Sequence, residues 1–401
     1  MDGSVVQTEE PRSVFVTPAF IGTAFAFGIF GFVTGVWEVL LADLRTTLTI
    51  STGAFGAALT AGFAGALPAM ILAGRISDRV GPRPLIGVTG GGMSLALLAL
   101  AVTDSYWVLV GVFFWYFGAN SAYDVGINAA GIDVEQVNNK QVLTYFHAAF
   151  SGCAALGAVS AGVFLFLGVG FRQLYIGLAI VLTSVVAVLV FSQTFPNRTP
   201  SDDSENIVTS LRDERSLFRN SAIVLVGGIV SLGYFTEGTI ENWAAIYLRT
   251  WLTFPAVVGA AVVAVFHVAM ATGRLGGARV LSRVGRRRLL QAAGICGAGG
   301  MLVALATTIV PIILVGVFVV GLSMAVVAPV GFSLAGDLAP GRTGEASSVI
   351  TFIGWSAFVI GPAIIGGLAE LVGLRLALSA VVLAAGLIVV GALHIPDQVT
   401  D

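Results

Sequence analysis

The chain has 401 residues, of which 57% are hydrophobic and only 10% are charged. Soluble domains carry roughly 25% charged residues, so this composition excludes a water-soluble globular protein and indicates an integral membrane protein. The net charge of −2 carries no functional information, and the two cysteines, Cys153 and Cys296, lie in apolar runs that give no sign of a disulfide framework.

Twelve apolar windows of the length that crosses a bilayer as a helix, about 20 residues, follow one another along the chain. They fall near residues 15–41, 52–74, 84–103, 106–132, 142–168, 173–194, 220–248, 254–278, 289–309, 311–336, 345–371 and 375–394. The polar run PNRTPSDDSEN between the sixth and seventh windows is typical of a flexible linker. We therefore predict an N-terminal tail at 1–14, a six-helix bundle at 15–194, a linker at 195–219, a second six-helix bundle at 220–394 and a C-terminal tail at 395–401.

The basic residues are distributed unevenly between the two sets of helix ends. Of the 20 lysines and arginines, only Arg45, Arg172, Arg249 and Arg375 fall on one side, and the other sixteen fall on the side of the termini and the linker. Because lysine and arginine accumulate in cytoplasmic loops, we expect both tails and the linker to be cytoplasmic.

The two halves also repeat each other at a constant offset. Three pairs of sites lie 204 residues apart: Leu44–Leu48 and Leu248–Leu252, Arg79 and Arg283 (each followed by Val-Gly), and Asp133 and Asp337. Each repeat holds six windows, so both halves enter the membrane with the same polarity. An axis along the membrane normal should relate them, with a cavity at their interface near the midplane.

The loop after the second window reads GRISDRVGPR from Gly74 to Arg83. It resembles the G-x-L-x-D-R-x-G-x-R signature between helices two and three of the major facilitator superfamily, and a degraded copy with Ser282 in place of the aspartate follows at 278–287. The resemblance covers essentially the whole chain. It implies an all-α membrane protein with twelve transmembrane helices in two pseudo-symmetric six-helix bundles.

The same resemblance implies a gate on the cytoplasmic side, in which arginines at the helix ends pair with acids and must separate when the cavity opens. We expect Asp133 or Glu135 to pair with arginines of the first half, and Asp337 with Arg283 or Arg287. The expected gate residues are Gly74, Asp78, Arg79, Gly81, Arg83, Asp133, Arg283, Arg287 and Asp337. Arginines that only reach for lipid headgroups would explain the charge, but they would explain neither Asp78 nor the repeated Arg-Val-Gly.

The fourth window sharpens the resemblance. Its segment YDVGINAA, Tyr123–Ala130, resembles the acidic-x-x-x-Asn pattern of fucose–proton symporters and their bacterial relatives, and Glu38 falls where that group carries an acid on helix one. This resemblance transfers the fold but not the substrate. From the residues described below we predict a secondary active transporter of a bacterial inner membrane that works by alternating access and moves a neutral, sugar-like solute together with protons.

Acids within the apolar windows are the strongest functional candidates, since a charge at the bilayer centre costs about 2.5–3.5 kcal/mol on insertion scales. Asp124 shares a helix face with Asn128, and Glu237 shares one with Glu241; two ionised carboxylates on one face repel, so one of that pair should bind a proton or a cation. We predict proton coupling through Asp124, Glu38 and Glu237, and solute contacts from Asn128, Asn242, His147, Tyr123, Trp243 and Glu241.

Each candidate also has a simpler interpretation. Asp124 could be satisfied by neighbouring helices, Glu38 could be a hydrated acid of an outer gate, Glu241 could be solvated near a helix end, and His147 could be an ordinary buried histidine. At the repeat offset, Asp124 corresponds to Ala328 and Glu38 to Asn242, so we expect the titratable chemistry to lie mainly in the first half.

The sequence has no P-loop, no metal-ligand pattern and no catalytic set, so we expect no enzyme, no cofactor and no bound metal. The expected partners are a small solute, protons and lipid, without nucleic acid, and the protein should act as a monomer. Two alternatives stay open: a proton-coupled exporter of hydrophobic or drug-like compounds, and a sensor or receptor that does not transport. Intramembrane arginines are few, with only Arg274 placed at an inner helix end, and this scarcity argues against organic-phosphate or dicarboxylate solutes, which need fixed positive charge.

Overall fold

The structure is a computed structural model that describes residues 14–192, 194–195 and 216–395. The predicted tails, 1–14 and 395–401, and the predicted linker, 195–219, lie almost entirely outside the described residues. The described ranges are helical and contain no β-strand.

In the part of the chain that the structure describes, twelve long helices account for the twelve predicted windows. Eleven are apolar and long enough to cross a membrane, and α4 falls short of that hydropathy because its second half carries Asn120, Asp124, Asn128, Asp133 and Glu135. The helices are α1 Pro18–Thr47, α2 Thr52–Val80, α3 Pro82–Val102, α4 Tyr106–Asn138, α5 Leu143–Phe166, α6 Phe171–Phe191, α7 Ser221–Trp251, α8 Ala256–Val284, α9 Arg286–Ala306, α10 Val310–Leu338, α11 Thr343–Val372 and α12 Leu374–Ala392.

Successive helices alternate in direction, which defines two faces of the molecule. The linker face carries the start of α1 and the helix ends that flank the linker, at Phe191 and Ser221. The distal face is the other one and carries the loop between α1 and α2, residues 48–51.

The repeated Arg-Val-Gly forms the same tight corner in both halves. Gly81 between α2 and α3 has φ 81°, and Gly285 between α8 and α9 has φ 78°. This left-handed conformation is one that side chains with a Cβ rarely adopt, which explains the glycine at both copies. The two corners lie at the linker face, at the predicted 204-residue offset.

Helix packing follows the repeat. Within the first half α1 packs on α5, α2 on α4 and α3 on α6; within the second half α7 packs on α11, α8 on α10 and α9 on α12. The second half therefore repeats the packing of the first, since α7 to α12 pair with one another in the same way as α1 to α6. The two halves meet through α2 against α11 and α5 against α8. The predicted architecture of two pseudo-symmetric six-helix bundles is confirmed.

The bundles approach most closely in the half of the membrane near the distal face. A Cβ placed on Gly56 would lie 2.3 Å from the carbonyl oxygen of Pro362, and one on Gly162 would lie 2.4 Å from the Cβ of Ala260. Small residues therefore allow α2 to pack directly on α11 and α5 on α8. Toward the linker face the bundles enclose a cavity.

Candidate functional site

The cavity between the bundles has a volume of about 680 Å³. Helices of both bundles line it, and its wall includes Gln141, Tyr145 and Leu281 at helix ends of the linker face. Tyr145 is 49% exposed. The cavity thus opens toward the linker face.

Polar contacts close the distal face. Arg249 at the end of α7 donates two hydrogen bonds to the carboxylate of Asp43 on α1, at 2.5 and 2.7 Å, and a third to the carbonyl oxygen of Val39 at 3.1 Å. Arg45 on α1 donates to the hydroxyl of Thr250 on α7, at 3.4 Å.

A second closure joins α11 to α2. The carboxylate of Glu370 accepts hydrogen bonds from the Thr52 hydroxyl and the Gly53 backbone N–H, at 2.8 and 2.9 Å. An acid of one bundle therefore caps the first turn of a helix of the other, where the unpaired N–H groups and the helix dipole favour negative charge.

Aromatic rings form much of the cavity wall. Trp37 and Tyr116 stack with ring centroids 4.3 Å apart, and Phe63 and Phe117 stack at 3.9 Å. The other aromatic side chains of the wall are Phe30, Tyr145, Phe150, Tyr234, Phe332, Trp355 and Phe358. Such rings offer broad faces on which a planar or ring-shaped solute can lie.

Arg274 of α8, the one arginine among the described residues of the cavity wall, ties three helices together. Its guanidinium forms an ion pair with Glu237 of α7 at 3.2 Å and donates to the hydroxyl of Ser151 on α5 at 2.7 Å. The expectation that Arg274 lies at an inner helix end was wrong, because its long side chain faces the cavity from a point well inside α8. Its charge is nevertheless balanced by Glu237.

A second cluster bridges the bundles closer to the distal face. His267 of α8 places Nε2 at 3.0 Å from both carboxylate oxygens of Glu38 on α1, and each side chain is only 2% exposed. The nitrogen and oxygen atoms of His267, Glu38 and Glu241 of α7 all lie within 4.8 Å of one another. Glu241 is half-buried beside these two buried side chains and lies inside α7, so the interpretation of it as an acid near a helix end does not hold.

Asp124 lies in the wall with Asn128 beside it. The Asn128 side chain donates to the carboxylate and to the backbone carbonyl of Asp124, both at 2.9 Å. Asn128 itself is not among the residues of the wall. In this conformation it orients Asp124 instead of facing a solute directly.

The remaining predicted residues divide into two groups. Asn242 and His147 line the cavity together with Glu38, Glu237, Glu241 and Asp124. Tyr123 and Trp243 are completely buried: the Tyr123 hydroxyl donates to the carbonyl oxygen of Ala26 at 3.3 Å, and Trp243 packs edge-on against Phe55. These two side chains are packing residues here and do not reach the cavity.

Several expected gate residues make contacts within one bundle. Arg83 donates to the carbonyl oxygen of Val190, so it joins α3 to α6. Arg286 forms the ion pair with Asp337, although the sequence pointed to Arg283 or Arg287.

The other expected gate residues lie near the same face. Glu135 accepts from the backbone N–H groups of Val142 and Leu143, which closes the turn between α4 and α5. Asp78 and Arg79 are exposed at the end of α2, and Asp133 is buried within α4. A cavity that opens at this face is consistent with a gate whose two sides are apart.

Sequence reasoning missed the roles of His267 and Arg274. Both are ionisable residues in one apolar window, seven residues apart, which places them two turns apart on one helix face. This spacing could have revealed that one face of α8 is polar, and in the structure that face contacts the acids of α1 and α7. The amides Asn120 and Gln141 also line the cavity without having been predicted.

Comparison with known proteins agrees with the fold. The family model described as Major Facilitator Superfamily matches residues 19–362. An uncharacterised MFS-type transporter of Yersinia pestis is 25% identical over 363 residues, which cover 90% of this chain and 92% of the relative. The membrane protein MosC of Rhizobium meliloti is 27% identical over 384 residues, which cover 96% and 90%.

Solved structures show the same architecture. A mutant of the nucleoside transporter NupG superposes with a TM-score of 0.78 at 15% identity, covering 94% of this chain and 99% of that one. A bacterial homologue of the human lysosomal transporter Spinster, in an inward-facing and unoccupied conformation, gives 0.75 at 12% identity, covering 93% and 95%. The chain belongs to the Major Facilitator Superfamily, and it is a multi-pass membrane transporter and not an enzyme.

Proposed function

We propose that this member of the superfamily takes up a neutral polar solute by alternating access, coupled to the movement of protons. The observation that carries the proposal is the wall of the cavity, which combines aromatic faces and amides with four carboxyls and a single arginine that is already paired. Sugars and nucleosides have the matching chemistry, a ring with an apolar face and hydroxyl groups at its edge.

The charges of the wall support a neutral solute over an anion. Glu38, Asp124, Glu237 and Glu241 outnumber Arg274, whose guanidinium is engaged by Glu237. A phosphate or carboxylate would have to displace that acid and would meet the others as like charges. The likeness to a nucleoside transporter, although it concerns the fold alone, is compatible with this solute class. The Asp124–Asn128 pair supports the finer resemblance to the fucose–proton symporter group.

Proton coupling is assigned to Asp124, Glu38 and Glu237. All three carboxyls line the cavity, where water from the open face can deliver or remove a proton. Each also has a neighbour that responds to its charge: Asn128 for Asp124, His267 for Glu38 and Arg274 for Glu237. Protonation of Glu38 or Glu237 changes a contact between helices, which is what coupling to a conformational change requires, whereas protonation of Asp124 changes its hydrogen bond with Asn128 within α4.

The charge distribution supports a membrane orientation. The linker face corresponds to the side with sixteen of the 20 basic residues, so we assign it to the cytoplasm of a bacterium, in its inner membrane, with both termini on that side. In this orientation the structure is open to the cytoplasm and closed to the exterior.

A second function is favoured by one feature of the same cavity. Aromatic walls together with an excess of carboxyls also suit a lipophilic cation, which would fit a proton-coupled exporter of hydrophobic or drug-like compounds. We rank this second because the amides Asn120, Gln141 and Asn242 contribute hydrogen-bonding groups that such compounds do not use.

The purified protein in liposomes loaded with a pH-sensitive dye tests both functions. Neutral sugars and nucleosides are added first, then lipophilic cations, and solute-driven proton movement is recorded. We expect a neutral solute to carry protons with it, and Asp124→Asn to reduce the proton flux at least tenfold. Asp104→Asn, an exposed acid outside the cavity, is the matched control and should behave as the unmodified protein.

Two outcomes would contradict the proposal. If only lipophilic cations move protons, and in the direction opposite to their own, the protein is an exporter. If a neutral solute is carried and Asp124→Asn retains the full proton flux, Asp124 is not a coupling residue.

A further inference from the structure

Glu38, Glu241 and His267 meet where the cavity ends below the distal closure. We propose that these three side chains form one proton-binding site shared by the two bundles, and that its occupancy determines which face of the cavity is open. The inference rests on the proposed proton coupling. It adds His267 and Glu241 to that coupling and gives them a role in the conformational change.

The geometry brings the three groups into one electrostatic unit. Glu38 and His267 face each other in a position that is 98% shielded from solvent, with both carboxylate oxygens 3.0 Å from one ring nitrogen. The Glu241 carboxylate completes the cluster within 4.8 Å. The ring of Phe150, from α5, lies against His267 with centroids 6.3 Å apart and keeps this side of the cluster apolar.

Glu38 and Glu241 cannot both stay ionised at low cost so close together unless a positive charge compensates them. With a neutral imidazole and two ionised carboxylates the cluster would carry two negative charges side by side at the end of the cavity, where Glu38 is only 2% exposed and Glu241 is half-buried. One proton on His267 converts its contact with Glu38 into an ion pair, and a second proton on Glu241 makes the cluster neutral. The three groups therefore titrate as a unit.

The surroundings do not supply a fixed charge that would replace the proton. Among the described residues, the other ionisable groups that interact electrostatically with the cluster are Tyr116 of α4, Glu237 of α7 and Arg274 of α8. Asp124 of α4 and His147 of α5 also line the same cavity. The positive charge of Arg274 is already paired with Glu237. A proton is thus the counter-charge available to Glu38 and Glu241.

The cluster also connects proton binding to the conformational change. Glu38 belongs to the first bundle, whereas His267 and Glu241 belong to the second, and the contact lies in the layer where the bundles touch. Opening of the distal face must separate Glu38 from His267. Since the ion pair exists only in the distal-closed state, a proton on His267 stabilises that state, and loss of the proton leaves two repelling carboxylates that favour separation.

A distance measurement tests the inference without any solute. Leu167 and Thr308 are positions in distal loops of the first and second bundle, and Leu167 is 68% exposed. Cysteines at these sites, with Cys153→Ala and Cys296→Ala, carry spin labels in the full chain in liposomes. We expect the short distance between the two labels, which reports the distal-closed state, to dominate at pH 5. The ratio of the long-distance population to the short-distance population should rise at least tenfold between pH 5 and pH 9.

The variants separate protonation from packing. Glu38→Gln and His267→Gln should each flatten the pH profile, and the double variant, which retains a hydrogen-bonded pair without charge, should be folded and independent of pH. His394→Gln, an exposed histidine at the linker face, is the matched control and should keep the full profile.

The inference is overturned if the double variant keeps the pH profile of the unmodified protein, or if that protein shows no profile at all. It is also overturned if the distances respond to Na⁺ or Mn²⁺ at constant pH and not to protons, since the cluster would then bind a metal cation. No solute enters these measurements, so a failure to find one would contradict the proposed function alone. Full solute-driven proton flux beside a flat pH profile would contradict this inference alone.

Discussion

Replacing Asp43 with asparagine should open the distal face. The substitution keeps the size of the side chain but removes the charge that holds Arg249 across the two bundles, where the side chains of Asp43 and Arg249 are only 19% and 15% exposed. Hydrogen bonds to charged groups contribute about 1.5–3 kcal/mol each. Allowing for partial solvent screening, we expect the substitution to reduce the free energy that favours the distal-closed state by about 2 kcal/mol. Since 1.4 kcal/mol is a factor of ten, the ratio of distal-open to distal-closed molecules should rise about 30-fold.

Spin labels at positions 167 and 308 measure that ratio directly, at a fixed pH in liposomes. Asp104→Asn is a matched control, because Asp104 forms an ion pair of the same type with Arg172 at the same face, at 2.7 Å, but within the first bundle. Asp104→Asn should leave the distance distribution unchanged. Equal distributions for the two variants would refute the assignment of Asp43 and Arg249 to the distal closure.

Three further substitutions probe packing, charge balance and capping. Gly35→Ala should lower the free energy of unfolding by about 1–3 kcal/mol, seen as a lower melting temperature in detergent, because its Cβ would lie 1.9 Å from a carbonyl oxygen of α5. Gly177→Ala is the control and should leave the melting temperature unchanged, because its Cβ would have nothing within 4 Å. Arg274→Gln leaves Glu237 without its partner and should reduce solute-driven proton flux at least tenfold, whereas Arg274→Lys, which keeps the positive charge, should retain part of that flux. Glu370→Gln removes the charge that caps α2, worth about 1 kcal/mol, and should raise the distal-open ratio about fivefold in the distance measurement.

The scaffold could be predicted from the sequence because its signals are local. Hydrophobic windows located all twelve helices, and the repeat offset placed the Gly81 and Gly285 corners. Helix ends were less accurate: the first window, 15–41, became Pro18–Thr47, and the fourth, 106–132, became Tyr106–Asn138. Both helices continue through polar residues that a hydrophobicity criterion rejects. Hydrogen bonding within the helix and contacts with neighbouring helices sustain them there.

The site was predicted only where its contacts are close in sequence. Asp124 and Asn128 are one helical turn apart, and their spacing reveals the pair. Glu38 and His267 are 229 residues apart, and only the packing of α1 on α8 brings them together. Tyr123 failed as a solute contact for a geometric reason. Adjacent helix positions point about 100° apart, so the neighbour of a cavity-lining Asp124 faces the protein core.

The arginines at the distal face illustrate what the repeat conserves and what it does not. Arg45 and Arg249 occupy equivalent positions, and each reaches across to the other bundle. Their partners differ, because Asp43 has Tyr247 at its repeat position, so Arg249 forms an ion pair with Asp43 whereas Arg45 donates a hydrogen bond to the Thr250 hydroxyl.

The same reasoning corrects the expectation that the titratable chemistry lies mainly in the first half. Glu38 does lack an acid at its repeat position, Asn242, but its partners Glu241 and His267 come from the second bundle. A proton bound entirely within one bundle would travel with that bundle and would not favour either face. A proton held between the bundles can favour one face, because the movement that opens the other face separates the groups that bind it. The asymmetry between the halves therefore places an acid of one bundle against a histidine of the other, and this is the arrangement that the proposed proton-driven alternation requires.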